Sequence, residues 1–195
     1  ALLRTKTPLV EAERLLEPLL RHAADFEDTH LLAFEVFVRK GKLLLALRAC
    51  NAAVRCSPSS FAARRNVAHL ATLIASSSVD ASTERQAVRT VLDDGVGALT
   101  GGATAMAYAQ ALVAEARSSL EGALAAEAVK LAGGDAAAAA AKVGDLEVPR
   151  SVDDAAAAVA ALERVGAGAD ALKAKLAVAF PYCEAFGGAK ATKRA

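Results

Sequence analysis

The sequence lacks tryptophan altogether, and only 4% of its 195 residues are aromatic. This scarcity leaves no interleaved aromatic platform on which single-stranded bases could stack. The 23 Lys and Arg residues nearly balance the 22 Asp and Glu residues, so the formal net charge is +1. The balance excludes a strongly basic nucleic-acid arm or an acidic tail as the overall character of the chain.

Long hydrophobic runs are also missing, although 54% of the residues are hydrophobic. The longest alanine run, residues 136–141, is far shorter than the span that a bilayer core of about 30 Å requires. The opening residues ALLR lack the order of a signal peptide, and the missing initiator methionine suggests a piece of a longer protein. Three cysteines without paired spacing favour a reducing compartment. We therefore expect a cytoplasmic protein without a membrane contact.

Helix-forming residues fill most of the chain, and Pro, Gly, Ser and Asp interrupt them at helix-length intervals. No segment alternates with the period of two that indicates a strand. Thr7 and Pro8 are expected to begin the first helix, with the Thr7 side chain as its cap, and Pro18 is expected to kink it. The predicted helices cover residues 7–20, 28–40, 42–56, 61–76, 82–99, 104–118, 119–132, 135–143, 151–165 and 169–186.

A 34-residue tetratricopeptide period fits the region before Pro58. In this register, Phe37 takes the large aromatic position, Gly41 the inter-helix turn, and Ala46 and Ala53 the small positions at which two helices approach. We predict an all-α fold, a right-handed solenoid of helical hairpins that is irregular after residue 58. Residues 1–58 would form tetratricopeptide-like helices, and residues 59–195 divergent alanine-rich repeats that end in a capping helix and a tail.

Four sequence blocks resemble one protein family and occur in its order. They are PLVEA–PL from Pro8 onward, DTHLLAFEVFVRKGKLLLAL from Asp28, VRTVL from Val88, and FPY from Phe180 with the following AF. The blocks are similar to the C-terminal repeat region of the auxiliary subunit of the N-terminal acetyltransferase A complex. The resemblance is most specific over residues 7–58.

The resemblance implies a non-catalytic scaffold subunit. Such a subunit wraps the catalytic N-terminal acetyltransferase and holds the complex at the ribosome, with a small regulatory protein as a further expected partner. Two other interpretations remain open. A generic tetratricopeptide adaptor that binds peptides would share every pattern described so far, and a stand-alone enzyme would need an acetyl-CoA loop.

Metal-binding and catalytic groups are sparse in the sequence. His22, His30 and His69 have no companion at i+3 or i+4, the spacing of a helical metal pair. Cys50 and Cys56 are six residues apart and point to different sides of one helix, so we interpret both as small buried hydrophobes. We predict no metal site and no catalytic residue.

Two glycine-containing segments approach phosphate-binding patterns without completing them. The GVG segment at 95–97 has no strand before it and is interpreted as a frayed helix end. Residues 163–169, ERVGAGA, resemble a coenzyme A pyrophosphate loop, but Arg164 comes one position too late and no strand precedes it. A helix C-cap explains this segment better, and we predict no cofactor.

Basic clusters and a C-terminal aromatic segment are the remaining candidates. Cations at helix ends ordinarily offset the macrodipole, but ribosomal RNA or an acidic partner could also bind them. The candidate contacts are Arg39, Lys40, Lys42, Arg64 and Arg65, with a further basic group in the tail at Lys190, Lys193 and Arg194. The segment predicted to pack as a C-terminal cap, and as a regulator contact, comprises Phe180, Pro181, Tyr182 and Phe186.

Overall fold

The computed structural model describes residues 6–77 and 83–186, with side chains from residue 86 onward in the second range. Within these ranges the protein is all-α and has no strand, which confirms the predicted fold class. The handedness of the helix stack stays a prediction. The helices are α1 (Pro8–His22), α2 (Glu27–Arg39), α3 (Leu43–Cys56), α4 (Phe61–Ser76), α5 (Thr83–Thr100), α6 (Ala105–Glu115), α7 (Ser119–Leu131), α8 (Ala137–Val143), α9 (Val152–Val165) and α10 (Asp170–Ala179).

Most predicted helix boundaries lie within a few residues of the observed ones, and the largest correction is at the C-terminal end. The last predicted helix continued to residue 186, but α10 ends at Ala179. Phe180 precedes Pro181, and a residue before proline is driven out of the helical region. After this break, a short 3₁₀ helix spans Glu184–Phe186.

Two local predictions were wrong. The Thr7 side chain does not cap α1; its carbonyl oxygen accepts the amides of Val10 and Glu11 instead. The GVG segment at 95–97 lies inside α5 and is not a frayed end. A β-carbon at Gly95 would lie 2.5 Å from a methyl carbon of Leu47, so the glycine allows α5 to approach α3.

The helices group into two compact units, Ala1–Ala105 and Met106–Ala195. In the first unit, each helix from α1 to α4 packs against the helix that follows it. In addition, α2 contacts α4, and α3 contacts α5. This serial packing is typical of helical repeats. The boundary at residue 58 concerns the repeat register and stays a prediction.

The core of the first unit is built around the α2–α3 hairpin. Phe34, Val67 and Leu70 are almost fully buried, and the Phe34 ring meets the His69 ring edge-on with centroids 5.8 Å apart. Bulky apolar side chains therefore supply most of the buried surface here.

A tight turn joins α2 to α3. Gly41 has a φ of +66°, the left-handed region in which a β-carbon is unfavourable. The amide of Lys42 donates to the Phe37 carbonyl at 2.9 Å, and the Gly41 amide donates to Val38 at 2.9 Å. This pair of bonds is a Schellman C-cap, which ends α2 and reverses the chain.

The residues of the tetratricopeptide register occupy the following places. Phe37 is 8% exposed, Ala46 is fully buried and Ala53 is 1% exposed, all within the α2–α3 hairpin. Pro58 is exposed in the turn between α3 and α4.

The second unit has a core made largely of alanine. α7 packs against α8 and α9, and α10 packs against α9. Ala123 and Ala158 are fully buried, together with Leu172 and Leu176, which are 2% and 0% exposed. Small side chains let the helix backbones approach, although each buries little area. Ser118 and Ser151 accept first-turn amides and cap α7 and α9.

Candidate partner-binding surfaces

The basic turn between α2 and α3 is folded against α1. Glu13 of α1 forms ion pairs with both Lys40 and Lys42, the latter at 2.7 Å. Hydrogen bonds from Lys40 and then Lys42 hold the pKa of the Glu13 carboxyl below its usual range. One carboxylate thus partly offsets two of the cations predicted to contact RNA or a partner.

A second carboxylate joins the other predicted cations. Glu35 of α2 pairs with Arg39 at 3.3 Å and with Arg65 of α4 at 3.3 Å. Arg64 lies over the ring of Phe61, 5.4 Å from its centroid. The structure therefore brings Arg39 and Arg65 together through Glu35, while the two lysines meet at Glu13.

A groove of about 640 Å³ opens beside α3 in the first unit. Leu20, Phe37 and Leu45 contribute apolar surface. Arg48 and Arg55 contribute positive charge, and Asp25 contributes one carboxylate. A shallower groove of about 420 Å³ on another side of the same arginines is lined by Leu44, Leu47, Arg48, Asn51, Arg55 and Val91.

The sequence reasoning missed these two arginines. Arg48 and Arg55 are seven residues apart and therefore form no cluster of adjacent cations in the sequence. The available signal was the spacing of Leu44, Arg48, Asn51 and Arg55, which repeats 4-3-4 along one side of a helix.

The cysteines and histidines lie in different surroundings. Burial raises the pKa of the Cys50 thiol to about 12, which disfavours the nucleophilic thiolate. Cys56 is exposed at the larger groove, so its predicted burial was wrong. The His30 ring bonds the Ala24 carbonyl at 2.7 Å. In residues 6–77 and 83–186, no group of three or more His, Cys, Asp or Glu side chains could hold a metal ion.

The segment that resembled a coenzyme A loop is the C-cap of α9, as predicted. Gly166 is left-handed with φ of +79°, and the Ala167 amide donates to the Leu162 carbonyl. Arg164 makes two hydrogen bonds to Glu127 of α7, at 2.9 and 3.0 Å. The arginine is therefore engaged in holding two helices together.

The residues predicted to form the C-terminal cap divide into a packed pair and an exposed pair. The Phe180 and Phe186 rings lie 6.1 Å apart, and Phe186 is 6% exposed in the core of the second unit. Pro181 is exposed, and Tyr182 is 84% exposed. The predicted basic tail at Lys190, Lys193 and Arg194 lies outside the described residues.

In the part of the chain that the structure describes, no helix combines the length and the apolar character that a bilayer crossing requires.

Residues 1–53 match the family described as N-terminal acetyltransferase A, auxiliary subunit. Over 50 residues, 26% of this chain, the sequence is 52% identical to N-alpha-acetyltransferase 16, NatA auxiliary subunit, of Homo sapiens and of Mus musculus. It is 44% identical over 48 residues to the N-terminal acetyltransferase A complex auxiliary subunit NAA15 of Arabidopsis thaliana.

These matches confirm the resemblance in the N-terminal part of the chain. They span only 5–6% of the length of the relatives. The blocks at residues 88–92 and 180–186 lie beyond the matched segment, and their resemblance stays a prediction.

Proposed function

Because residues 1–53 resemble the auxiliary subunits of N-terminal acetyltransferase A, we propose that the chain is a non-catalytic scaffold of such a complex. The observation that supports this proposal is the match of residues 1–53 to that family. The matched segment covers α1, α2 and most of α3. Serially packed helices offer extended surfaces to a partner. The proposed partner is a catalytic N-terminal acetyltransferase subunit, and the proposed location is the cytoplasm.

Two binding measurements test this proposal. The purified chain is mixed with the catalytic subunit of human N-terminal acetyltransferase A, and the complex is sought by analytical size-exclusion chromatography. The chain alone is titrated calorimetrically with acetyl-CoA. We expect a complex in the first experiment and no heat of binding in the second. Micromolar binding of acetyl-CoA to the isolated chain would overturn the scaffold in favour of an enzyme.

The ribosome is proposed as a second partner, through Arg39, Lys40, Lys42, Arg64 and Arg65. The charge clustered near the α2–α3 turn supports contact with ribosomal RNA, since backbone binding needs little beyond cations on one face. The ion pairs with Glu13 and Glu35 predict a modest affinity, because each carboxylate competes with phosphate.

Removing the competing carboxylate provides the test of the ribosome contact. Glu13→Gln leaves Lys40 and Lys42 without their shared anion and should raise the affinity for ribosomes severalfold at low salt. Glu11→Gln is the matched control, because Glu11 pairs with Arg14 on the same helix at 3.7 Å. Equal affinity of both variants and of the unaltered chain, measured by cosedimentation, would remove the ribosome from the proposal.

A regulatory protein is proposed to contact the C-terminal segment, where Tyr182 is exposed beside the packed Phe180 and Phe186. Exposed aromatic side chains are frequent anchors of protein interfaces.

The second candidate function is a peptide-binding adaptor unrelated to acetylation. The observation that favours it is the groove of about 640 Å³ beside α3, which is in the size range of ligand-binding clefts. Peptide binding without any binding to the catalytic acetyltransferase subunit would favour the adaptor over the scaffold.

A further inference from the structure

One side of α3 is uncovered in the first unit. We call it the α3 face and define it by Leu44, Arg48, Asn51 and Arg55. Leu44 is 43% exposed, and both arginines are exposed. The 4-3-4 spacing of the four residues is the arrangement by which one helix packs along another.

The cations of this face differ from those of the basic turn. Lys40 and Lys42 are paired with Glu13. Among the side chains that the structure describes, those of residues 6–77 and 86–186, no carboxylate pairs with Arg48 or Arg55. Two cations about two helical turns apart on one helix face therefore remain available to a ligand.

Apolar surface borders the two arginines. The groove of about 640 Å³ contributes Leu45, Ala49 and Ala52, and the groove of about 420 Å³ contributes Leu44 and Val91. Val91 is 55% exposed. A ligand that covers both arginines would therefore also bury hydrocarbon, which a nucleic-acid backbone does not supply.

The spacing of the arginines selects a helical ligand. Seven residues of α-helix correspond to about 10.5 Å along the axis. A second helix that lies along α3 presents its own i and i+7 side chains at the same interval. An extended strand covers this distance in about three residues, and residues i and i+3 of a strand point to opposite sides.

We propose that the α3 face binds an acidic amphipathic helix of a partner protein, with carboxylates seven residues apart at Arg48 and Arg55 and apolar side chains in the two grooves. This interaction goes beyond the proposed scaffold function and does not depend on the identity of the complex. Charge complementarity determines which helix binds, and burial in the grooves contributes the apolar part of the affinity.

The test uses a synthetic, fluorescently labelled 18-residue helical peptide with leucines along one face and glutamates at two positions seven residues apart. A second peptide carries lysines in place of those glutamates. Binding of each to the full chain is measured by fluorescence anisotropy at about physiological salt. We expect the glutamate peptide to bind at least tenfold more tightly than the lysine peptide.

Variants of the chain locate the site. The double variant Arg48→Ala, Arg55→Ala should lose roughly fivefold to tenfold in affinity for the glutamate peptide, a size consistent with two partly exposed ion pairs. Leu44→Ser should also weaken binding. Arg21→Ala is the matched control and should change nothing, because Arg21 is exposed on α1 and pairs with Glu17.

A charge exchange keeps the test decisive even if the alanine variant is less stable. The variant with Arg48→Glu and Arg55→Glu should lose its affinity for the glutamate peptide and gain affinity for the lysine peptide. Failure of the unaltered chain to bind the glutamate peptide, or equal binding of both peptides, would overturn the proposal. So would an RNA oligonucleotide that binds through Arg48 and Arg55 when the peptide does not. These outcomes are separate from complex formation with the catalytic acetyltransferase subunit.

Discussion

The two compact units pack helices by different means, and the difference predicts which substitutions each tolerates. In the first unit, Phe34 and Leu70 fill the space between helices. Buried alanines such as Ala46 accompany these large side chains. In the second unit, alanines such as Ala123 and Ala158 make up the larger share of the buried apolar residues and allow the helices themselves to come close. A core of large side chains is damaged by truncation, whereas a core of small side chains is damaged by enlargement.

Truncation of Phe34 should produce the largest effect. Phe34 is 1% exposed and packs edge-on against His69, so Phe34→Ala removes a buried ring and leaves a cavity. We expect the first unit to lose about 3–5 kcal/mol of unfolding free energy. Hydrogen exchange in α2 and α3 measures this loss. Phe26→Ala is the control, since Phe26 is 68% exposed; an equal loss in the control would contradict the assignment of the core.

Enlargement of Ala158 should destabilise the second unit. Ala158 is fully buried in α9, and Ala158→Leu forces α9 away from its neighbours at a cost of roughly 1–3 kcal/mol. Ala157→Leu, one position away and exposed, should leave stability almost unchanged. Hydrogen exchange in α7 and α9 distinguishes the two. Similar protection in both variants would mean that the alanine contacts are not close enough to limit side-chain size.

Substitution of Gly41 tests the turn that organises the first unit. The position has a positive φ, yet a β-carbon there would meet nothing within 4 Å. Gly41→Val should therefore cost about 1–2 kcal/mol through backbone strain alone, and Gly41→Asn should cost less because asparagine tolerates this region. Unchanged exchange protection across α2 and α3 in the valine variant would contradict the left-handed turn.

The sequence predicted local structure better than it predicted the surfaces. Pro8, Gly41 and Gly166 marked helix ends because each acts through its own backbone conformation. The early end of α10 could also have been predicted from the sequence, since Pro181 restricts the backbone conformation of Phe180 before it. Local rules of this kind need no knowledge of the neighbouring helices.

The predicted contact residues depended on packing between distant parts of the chain. Glu13 reaches Lys40 and Lys42 across 27 and 29 positions, and no local pattern indicates this pairing. The basic turn therefore looked more available in the sequence than it is in the fold. Arg48 and Arg55 were overlooked because their significance comes from the grooves beside them.

The smallest predicted effect concerns the ion pairs of Glu13, which join α1 to the α2–α3 turn by charge, in contrast to the apolar contacts around Phe34. Hydrogen bonds from Lys40 and Lys42 lower the pKa of Glu13 in the folded chain. Stabilisation by this carboxylate is thus fully present above its unfolded pKa, near 4.5, and is lost as the pH falls through the lower folded value.

Glu13→Gln should therefore reduce the melting temperature slightly at pH 7, and the difference from the unaltered chain should vanish in acid. Because the Glu13 side chain is partly exposed to solvent, added salt should also shrink the difference. If the melting temperature of the glutamine variant is still lower than that of the unaltered chain at pH 2, Glu13 acts through packing and not through charge.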